Sequence, residues 1–413
     1  MNDRVIRCDV AIVGGGPAGL GAATRLKGLG IGRVAVLERE AAAGGVPRHC
    51  GHPPFGLREF RRILKGPDYA ARLREAAEAA GVEIHPHTTV TAIERGPVLR
   101  VSTPDGLARV EPERVLLATG VRETPRSARL VSGARPMGVL TTGALQSMVY
   151  LKSRTPFARP VIVGTELVSF SALLTCRHAG IRPVAMVEAR RRPTAWRVAT
   201  LLPRIRGVRV LMDTELTRIE GTDRISGVIL RHVSGREERL TCDGIVFSGR
   251  FVSEATLARM GHIELDPASG GPVADQFGRC SDPCYFSAGN MLHPADSAGR
   301  CWQEGVETAE QIARSLEGDL PVPDSATTIR PAAPLIRYAV PQRLVPDNRP
   351  VTEVPVRVRF CGEARGTLLL RDGESGILSQ DTRALPEKQV ILRVPQRMLR
   401  PGRDALNLGF RES

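Results

Sequence analysis

Three glycines near the start of the chain, Gly14, Gly16 and Gly19, stand at the spacing that lets backbone meet a pyrophosphate. The first permits a tight turn, the second allows close approach to the phosphates, and the third lets a helix pack on a strand. A carboxylate, Glu38, follows about 20 residues on, where it would accept a hydrogen bond from a ribose hydroxyl. Together these residues can hold a dinucleotide. A second reactive group, His49, Cys50 and His52, lies in the loop that follows, and His293 stands alone much later. A histidine beside a reacting centre can accept a substrate proton. The same side chains could instead shape the loop that carries them.

These residues need particular elements around them. Val10 to Val13 form a short apolar run that reads as a buried parallel strand. Pro17 and Ala18 open a helix whose N-terminus aims free N–H groups at the phosphates. Arg33 to Leu37 form a second strand that ends in Glu38. Further on, residues 68 to 80 read as an amphipathic helix. Residues 82 to 86, 90 to 93, 100 to 103 and 107 to 112 read as strands, and VLLATG at 115 to 120 as another. From Pro160 the layout repeats: strand, turn, helix to Ala179, strand Val184 to Val187, then Glu188. Strands recur at 209 to 212, 225 to 232, 245 to 249 and 284 to 290, and a helix at 302 to 316. Residues 318 to 334 are rich in Pro, Asp, Ser and Thr and read as a linker. Beyond them, period-two alternation in VPVRVRF, RGTLLLRD and QVILRV predicts a small all-β domain, a sandwich. No catalytic cluster lies in that tail, so it is expected to be a separable unit that mediates assembly.

Composition narrows the classes. The chain has 413 residues, enough for two or three domains, and 42% hydrophobic residues support ordinary cores. No apolar run reaches about 18 residues, so no membrane span is expected, and the first strand begins too early to leave room for a signal peptide. Eight cysteines with no tight pair suit a reducing cytoplasm. The net charge is +14, yet the only lysines are Lys27, Lys65, Lys152 and Lys388, an arginine skew that follows codon composition more than function. With aromatics at 4% there are few platforms for base stacking, and no nucleic-acid partner is expected.

With both repeats in view, residues 6 to about 318 resemble the two-dinucleotide-binding-domain flavoproteins, the group that contains thioredoxin reductase and glutathione reductase. The likeness rests on Gly14, Gly16, Gly19 and Glu38, on VLLATG, on the second unit from 160, on IVFSG at 245 and on FSAGN at 286 to 290. It implies an α/β fold of two Rossmann-like FAD/NAD(P)-binding domains, here with the all-β tail. The expected order is an FAD domain over 1–120 and 251–318, an inserted NAD(P)-like domain over 121–250, a linker over 319–334 and the β domain over 335–413. The resemblance assigns FAD to Gly14, Gly15, Gly16, Pro17, Ala18, Gly19, Glu38, Arg39, Gly45, Val90, Ala118, Thr119, Gly120, Gly289, Asn290 and Trp302. The family closes its FAD site at a Gly-Asp. Gly289-Asn290 stands there in this chain, and an amide can hydrogen-bond without charge.

Within the group, GGVPRHCGHPPFG, GVRETPRSAR and GNMLHP resemble the FAD-carrying chains of multi-subunit dehydrogenases that act on amines and amino acids, such as opine oxidase, hydrogen cyanide synthase and dye-linked proline dehydrogenase. That likeness implies a dehydrogenase subunit that takes electrons from an amine, amino acid or small organic acid, passes them to another carrier and works with a second chain. A self-sufficient NAD(P)H-dependent reductase and a non-catalytic nucleotide-binding scaffold are the alternatives. The resemblance places His49, Cys50, His52 and His293 near the flavin. It also sets Trp302 and Gln303 at the start of a helix whose positive end favours the reduced, anionic ring.

Two departures stand out. In the second unit Glu166 replaces the glycine that meets the pyrophosphate, and Ser169 replaces the third. NAD(P) binding is therefore in doubt: either Arg190 to Arg192 grip a phosphate beside Glu188, or the domain is kept for packing. No pair of cysteines has the close spacing of a redox disulfide: Cys50 is alone, Cys280 and Cys284 lie before the closing strand, and Cys361 is the only one in the tail.

Overall fold

The computed structural model describes residues 4–195, 201–347, 349, 353–386, 388–399 and 405–413. The chain forms two compact units. One holds Met1–Gly45, Ala70–Val121 and Ser253–Ser413, and the other holds Val46–Tyr69 and Arg122–Val252.

The first unit opens with β1 (Arg4–Val13), whose last four residues are buried. Helix α1 (Pro17–Gly28) follows, with Pro17 in its first turn, where a missing N–H is no loss. Strand β2 (Val34–Leu37) is buried throughout and runs parallel to β1, with Val10 opposite Val34. The sheet continues with β3 (Glu83–His85), β4 (Thr89–Glu94), β5 (Val98–Thr103) and β6 (Gly106–Leu117), in the order β3-β2-β1-β6-β5-β4. The sequence predicts two strands where β6 is one. Its first half pairs with β5, its far end takes another partner, and β1 runs along the opposite edge from Ala108 to Leu117. Pro112 stands opposite Cys8 of β1 and, on the other edge, between the segments that pair with the two partners there.

The second unit repeats the layout. Strands β7 (Val139–Thr141), β8 (Pro160–Val163), β9 (Ala185–Val187), β10 (Arg209–Leu211) and β11 (Gly244–Phe247) form a parallel sheet in the order β10-β9-β8-β11-β7. Helix α2 (Leu167–His178) connects β8 to β9. An antiparallel meander, Thr214–Gly221, Ile225–His232 and Glu237–Leu240, shares a core with this sheet through Ile219, Val228, Val161 and Ile245.

The first unit then resumes. Strand β12 (Tyr285–Ser287) lies parallel to the end of β6, with Tyr285 opposite Val115. Helix α3 (Ala298–Leu316) crosses α1 at close range. A Cβ on Gly305 would stand 2.0 Å from the Ala18 carbonyl oxygen, so only glycine permits the approach. The tail follows as β13 (Thr327–Pro331), β14 (Ile336–Val340), β15 (Glu353–Phe360), β16 (Ala364–Asp372), β17 (Ser375–Ala384), β18 (Val390–Pro395) and β19 (Ala405–Glu412). Strands β13, β19, β16 and β17 form one sheet, with Arg343–Leu344 on its edge, and β14, β15 and β18 form the other. Both fill one core, in which Ile329, Leu368 and Leu406 meet Val356, Val358 and Leu392. Each such side chain contributes about 1.5–3 kcal/mol on burial.

The predicted linker is corrected here. Residues 327–331 are β13, parallel to β19, with Ile329 opposite Leu406. Thr327 and Ile329 are buried on one face, a β alternation that the surrounding proline and aspartate obscure in the sequence. Among the described residues no helix is long and apolar enough to cross a membrane.

Candidate functional site

The glycine turn after β1 has the geometry of a phosphate cradle. Gly14 has φ +106°, and a Cβ there would stand 2.6 Å from the Ala118 carbonyl oxygen. A Cβ on Gly19 would lie 2.0 Å from the Gly14 carbonyl oxygen. Gly16 differs: the nearest atom to its missing side chain is the Gly45 Cα at 3.9 Å. The turn is therefore tight where it meets its own protein and open at Gly16, before the N-terminus of α1. Glu38, 6% exposed, accepts from the Gly15 N–H with one oxygen (2.9 Å) and from the Glu40 N–H with the other (2.9 Å). Both oxygens are aimed, and each keeps a lone pair for a ribose hydroxyl. Residues Gly14 to Gly19, Gly45 and Ala118 to Gly120 line the end of this sheet together. Thr119 Oγ1 donates to the Glu254 carbonyl oxygen at 2.7 Å and so ties that edge to the returning chain. Arg39 is exposed, and its guanidinium lies 4.0 Å from Glu40. Val90 is on β4, with its side chain in the core that Val13 and Leu37 share.

The loop after β12 is closed by ion pairs. Asn290 accepts from the Asp296 N–H (2.7 Å) and donates to the Asp296 carbonyl oxygen (3.1 Å), so its amide is engaged in holding its own loop. Glu304 on α3 accepts from the Gly289 N–H at 2.6 Å with one oxygen and from His293 Nε2 at 2.7 Å with the other. The other imidazole nitrogen of His293 lies 3.1 Å from Asp296. His293 is 1% exposed. Burial alone would lower its pKa, but Glu304 and Asp296 overcome that and raise it to about 9. His293 is thus held between two carboxylates, hydrogen-bonded to Glu304 through Nε2 and within ion-pair distance of Asp296 through Nδ1, a setting that favours its charged form over the proton acceptor expected from the sequence. A charged ring between two carboxylates has no lone pair to offer. The Trp302 indole packs on Gly21 of α1, where a Cβ would stand 2.7 Å from Cδ1. Glu304 and Asp296 were missed in the sequence. The available signal was a carboxylate on the buried stripe of α3, beside Cys301, Gly305 and Thr308.

This network should show itself in stability. A histidine whose pKa rises on folding contributes stability that is complete below the unfolded value of about 6.5 and is lost as pH rises through about 9. Asp296 and Glu304 are held below their usual values, despite burial, chiefly by His293; their contribution is lost instead as pH falls through the acid range. His293→Leu is expected to cost about 3–5 kcal/mol, because it leaves two buried carboxylates short of a partner. The fall in melting temperature between pH 6.5 and 9 should shrink with it. Thermal melts of both proteins across that range check this, and parallel pH profiles would refute the ion pair.

His49, Cys50 and His52 belong to the second unit, not to the one that carries the glycine cradle. The Cys50 thiol is buried 3.6 Å from Gln146 Oε1, and burial, with Glu123 adding to it, pushes its pKa to about 12. That shift favours the thiol over the thiolate, the form that acts as nucleophile. His52 Nδ1 lies 2.9 Å from the Pro53 carbonyl oxygen. Burial also raises the Cys280 and Cys284 thiols, and all eight cysteines are free.

The second glycine turn is filled by its own chain. A Cβ on Gly164 would lie 2.3 Å from Glu166 Oε2, and one on Gly249 would lie 2.5 Å from Glu166 Cδ. The carboxylate therefore folds across both glycines at the carboxyl ends of β8 and β11, the crevice where open α/β sheets take ligands. Arg129 stands nearby, donating to the Ser248 and Gly249 carbonyl oxygens at 2.9 and 2.8 Å. Glu188 accepts from Thr165 Oγ1 (2.5 Å) and from the Arg190 N–H (3.0 Å). Glu123, inside the GVRETPRSAR segment, accepts from the Gly143 and Gly249 N–H groups at 2.7 and 3.2 Å, and burial raises its pKa.

A family model described as pyridine nucleotide-disulphide oxidoreductase matches residues 8–313. The chain belongs to this family. As a pyridine nucleotide-disulphide oxidoreductase it is an FAD-dependent enzyme, and the open cradle at Gly16, the aimed Glu38 and the free N–H groups of α1 fit that cofactor. An opine oxidase subunit of Agrobacterium tumefaciens is 24% identical over 342 residues, 74% of this chain and 64% of that one. The opine oxidase subunit of the same name from Rhizobium meliloti is 27% identical over 182 residues, 44% of this chain and 38% of that one. The alpha subunit of sarcosine oxidase from R. meliloti is 26% identical over 365 residues, 79% of this chain and 33% of that one. The chain thus spans only part of the length of these relatives. The thioredoxin reductase of T. acidophilum shares the fold, with a TM-score of 0.62 at 20% identity, over 75% of this chain and 99% of that one. The family's description names a pyridine nucleotide and a disulphide; in this member Glu166 fills the second crevice and the cysteines are separate thiols.

Proposed function

We propose that the chain is the flavin-carrying subunit of a multi-subunit dehydrogenase that takes electrons from an amine, an amino acid or a related small organic acid and hands them to another carrier. The observation that carries this reading is the contrast between the two glycine turns. The first is open at Gly16, and the second is filled by Glu166. Reducing equivalents then enter from an organic substrate instead of a nicotinamide. The relatives named as subunits of opine oxidase and sarcosine oxidase support the substrate class and the second chain.

In this reading Gly14 to Gly19 and Glu38 hold the adenosine diphosphate end of FAD, and the loop from Gly289 to Asp296 closes the other end. A bound flavin supplies hydride acceptance and onward electron transfer. The protein supplies position: α1 aims its N–H groups at the phosphates, and Glu304 fixes the Gly289 backbone. A reducing cytoplasm suits eight free thiols. The test is anaerobic mixing of the native complex with opines, sarcosine and other amino acids while the flavin absorbance is followed. Bleaching by one of these at a rate that saturates is the expected result. A flavin that none of them reduces, with the partner chain present, would turn the reading towards a scaffold.

A further inference from the structure

The tail lies in the same compact unit as the glycine cradle and reaches the loop after β12 with buried polar groups. Arg359 on β15 is 2% exposed. Its guanidinium donates to the Pro294 carbonyl oxygen at 3.4 Å and lies 3.5 Å from Asp296 Oδ1. Tyr338 on β14, 1% exposed, donates its hydroxyl to the same Pro294 oxygen at 3.4 Å. Arg357, two residues before Arg359, stands 3.8 Å from Glu304 Oε1 and 3.9 Å from Glu307. Apolar packing follows the same route, since Leu292 of the loop and Ala274 form one cluster with Tyr338 and Val340. Backbone and amides add to it: the Ala274 N–H donates to Gln342 Oε1 at 3.0 Å, and the Val345 N–H to Gln276 Oε1 at 2.9 Å.

We infer that the C-terminal β domain is a working part of the flavin site: Arg359 and Arg357 are positioning residues that hold the loop from Gly289 to Asp296 in its FAD-closing shape. The inference rests on the assignment of that loop to FAD. The physical argument is charge balance in a dry place. Asp296 and Glu304 face one imidazolium, His293, and two carboxylates need more than one cation when buried together. The tail supplies the second and third. A buried guanidinium that donates to a carbonyl and stands within ion-pair distance of a carboxylate also fixes direction, which a surface pair does not. Removing it frees Pro294 and Asp296, and through Asp296 it frees Asn290 and His293. A domain that buries Arg359 and Tyr338 against this loop is coupled to it, which narrows the expectation of a separable unit and leaves its part in assembly as it stood.

The experiment uses full-length holoprotein with Arg359→Met, Arg357→Met and, as a conservative control, Arg359→Lys. Arg383→Gln, at the exposed Arg383–Glu363 pair of the far sheet, is the neutral control. The readouts are the dissociation constant for FAD, from recovery of flavin fluorescence, and the flavin midpoint potential. Arg359→Met should weaken FAD binding about tenfold or more and lower the preference for reduced over oxidised flavin about tenfold, a fall of about 30 mV for two electrons. Arg359→Lys should recover part of both, and Arg383→Gln should change neither. If Arg359→Met fails to fold, the partly exposed Arg357→Met still decides, with a loss of about threefold expected in FAD affinity. Folded Arg357→Met and Arg359→Met proteins with wild-type affinity and potential would overturn the inference. Wild-type protein that takes up no FAD would instead sink the FAD assignment itself.

Discussion

Gly16→Val is expected to give a folded protein without colour. Gly16 has φ −79° and ψ −175°, extended backbone that valine adopts without strain. Its missing side chain would meet no protein atom nearer than 3.9 Å. An added Cβ therefore meets nothing close in the chain itself, and the side chain enters the space that the dinucleotide phosphates need. A loss of a hundredfold or more in FAD affinity is expected, about 2.7 kcal/mol. Gly19→Ala is the contrasting change. Its Cβ would lie 2.0 Å from the Gly14 carbonyl oxygen, so α1 must leave β1 and the fold itself should suffer. Circular dichroism and the ratio of visible to ultraviolet absorbance separate the two outcomes. A yellow, fully loaded Gly16→Val protein would show that FAD binds elsewhere.

The second large effect concerns the filled crevice. NADH and NADPH are expected to reduce the flavin far more slowly than the organic substrate does. A dinucleotide must bring its pyrophosphate to the backbone at Gly164, and the Glu166 carboxylate lies across that turn and against Gly249. The obstacle is steric and also electrostatic. Two like charges about 4 Å apart repel by roughly 4 kcal/mol at an effective dielectric near 20. Even half of that weakens binding more than tenfold. Arg129 stands close enough to favour the carboxylate where it is. Glu166→Gly removes the obstacle and should raise nucleotide affinity by a hundredfold or more, measured by calorimetry on the oxidised protein. Fast, saturable bleaching of wild-type flavin at micromolar NADH or NADPH would defeat this prediction and make the chain a reductase.

Much of the fold is legible in local pattern. The run Val10 to Val13, the glycines after it and the buried Val34 to Leu37 define the first unit because strand, tight turn and helix each impose a residue type at a fixed spacing. The repeat from Pro160 is legible for the same reason, and so is the damage at Glu166, since only a side chain where a glycine belongs needs to be noticed. The alternation in the tail reports its strands. Boundaries were less legible. β6 reads as two strands because Pro112 interrupts the pattern, and only its three partners show that the strand runs through it.

The roles of single side chains depended on their neighbours. The sequence by itself determined the nucleotide-binding architecture, the position of the first cradle and the loss of the second, because those depend on backbone conformation and on spacing within about thirty residues. It could not tell an imidazole that accepts a proton from one held charged. That difference lies in Glu304 and Asp296, which reach His293 from eleven and three residues away only once α3 has folded back. Nor could it show that the tail belongs with the loop after β12. Arg359 meets Pro294 and Asp296 across more than sixty residues, a contact that exists only when two separately patterned segments pack and exclude water between them. Charge in a dry interior takes its meaning from its partners, and the tertiary structure alone decides which partners those are.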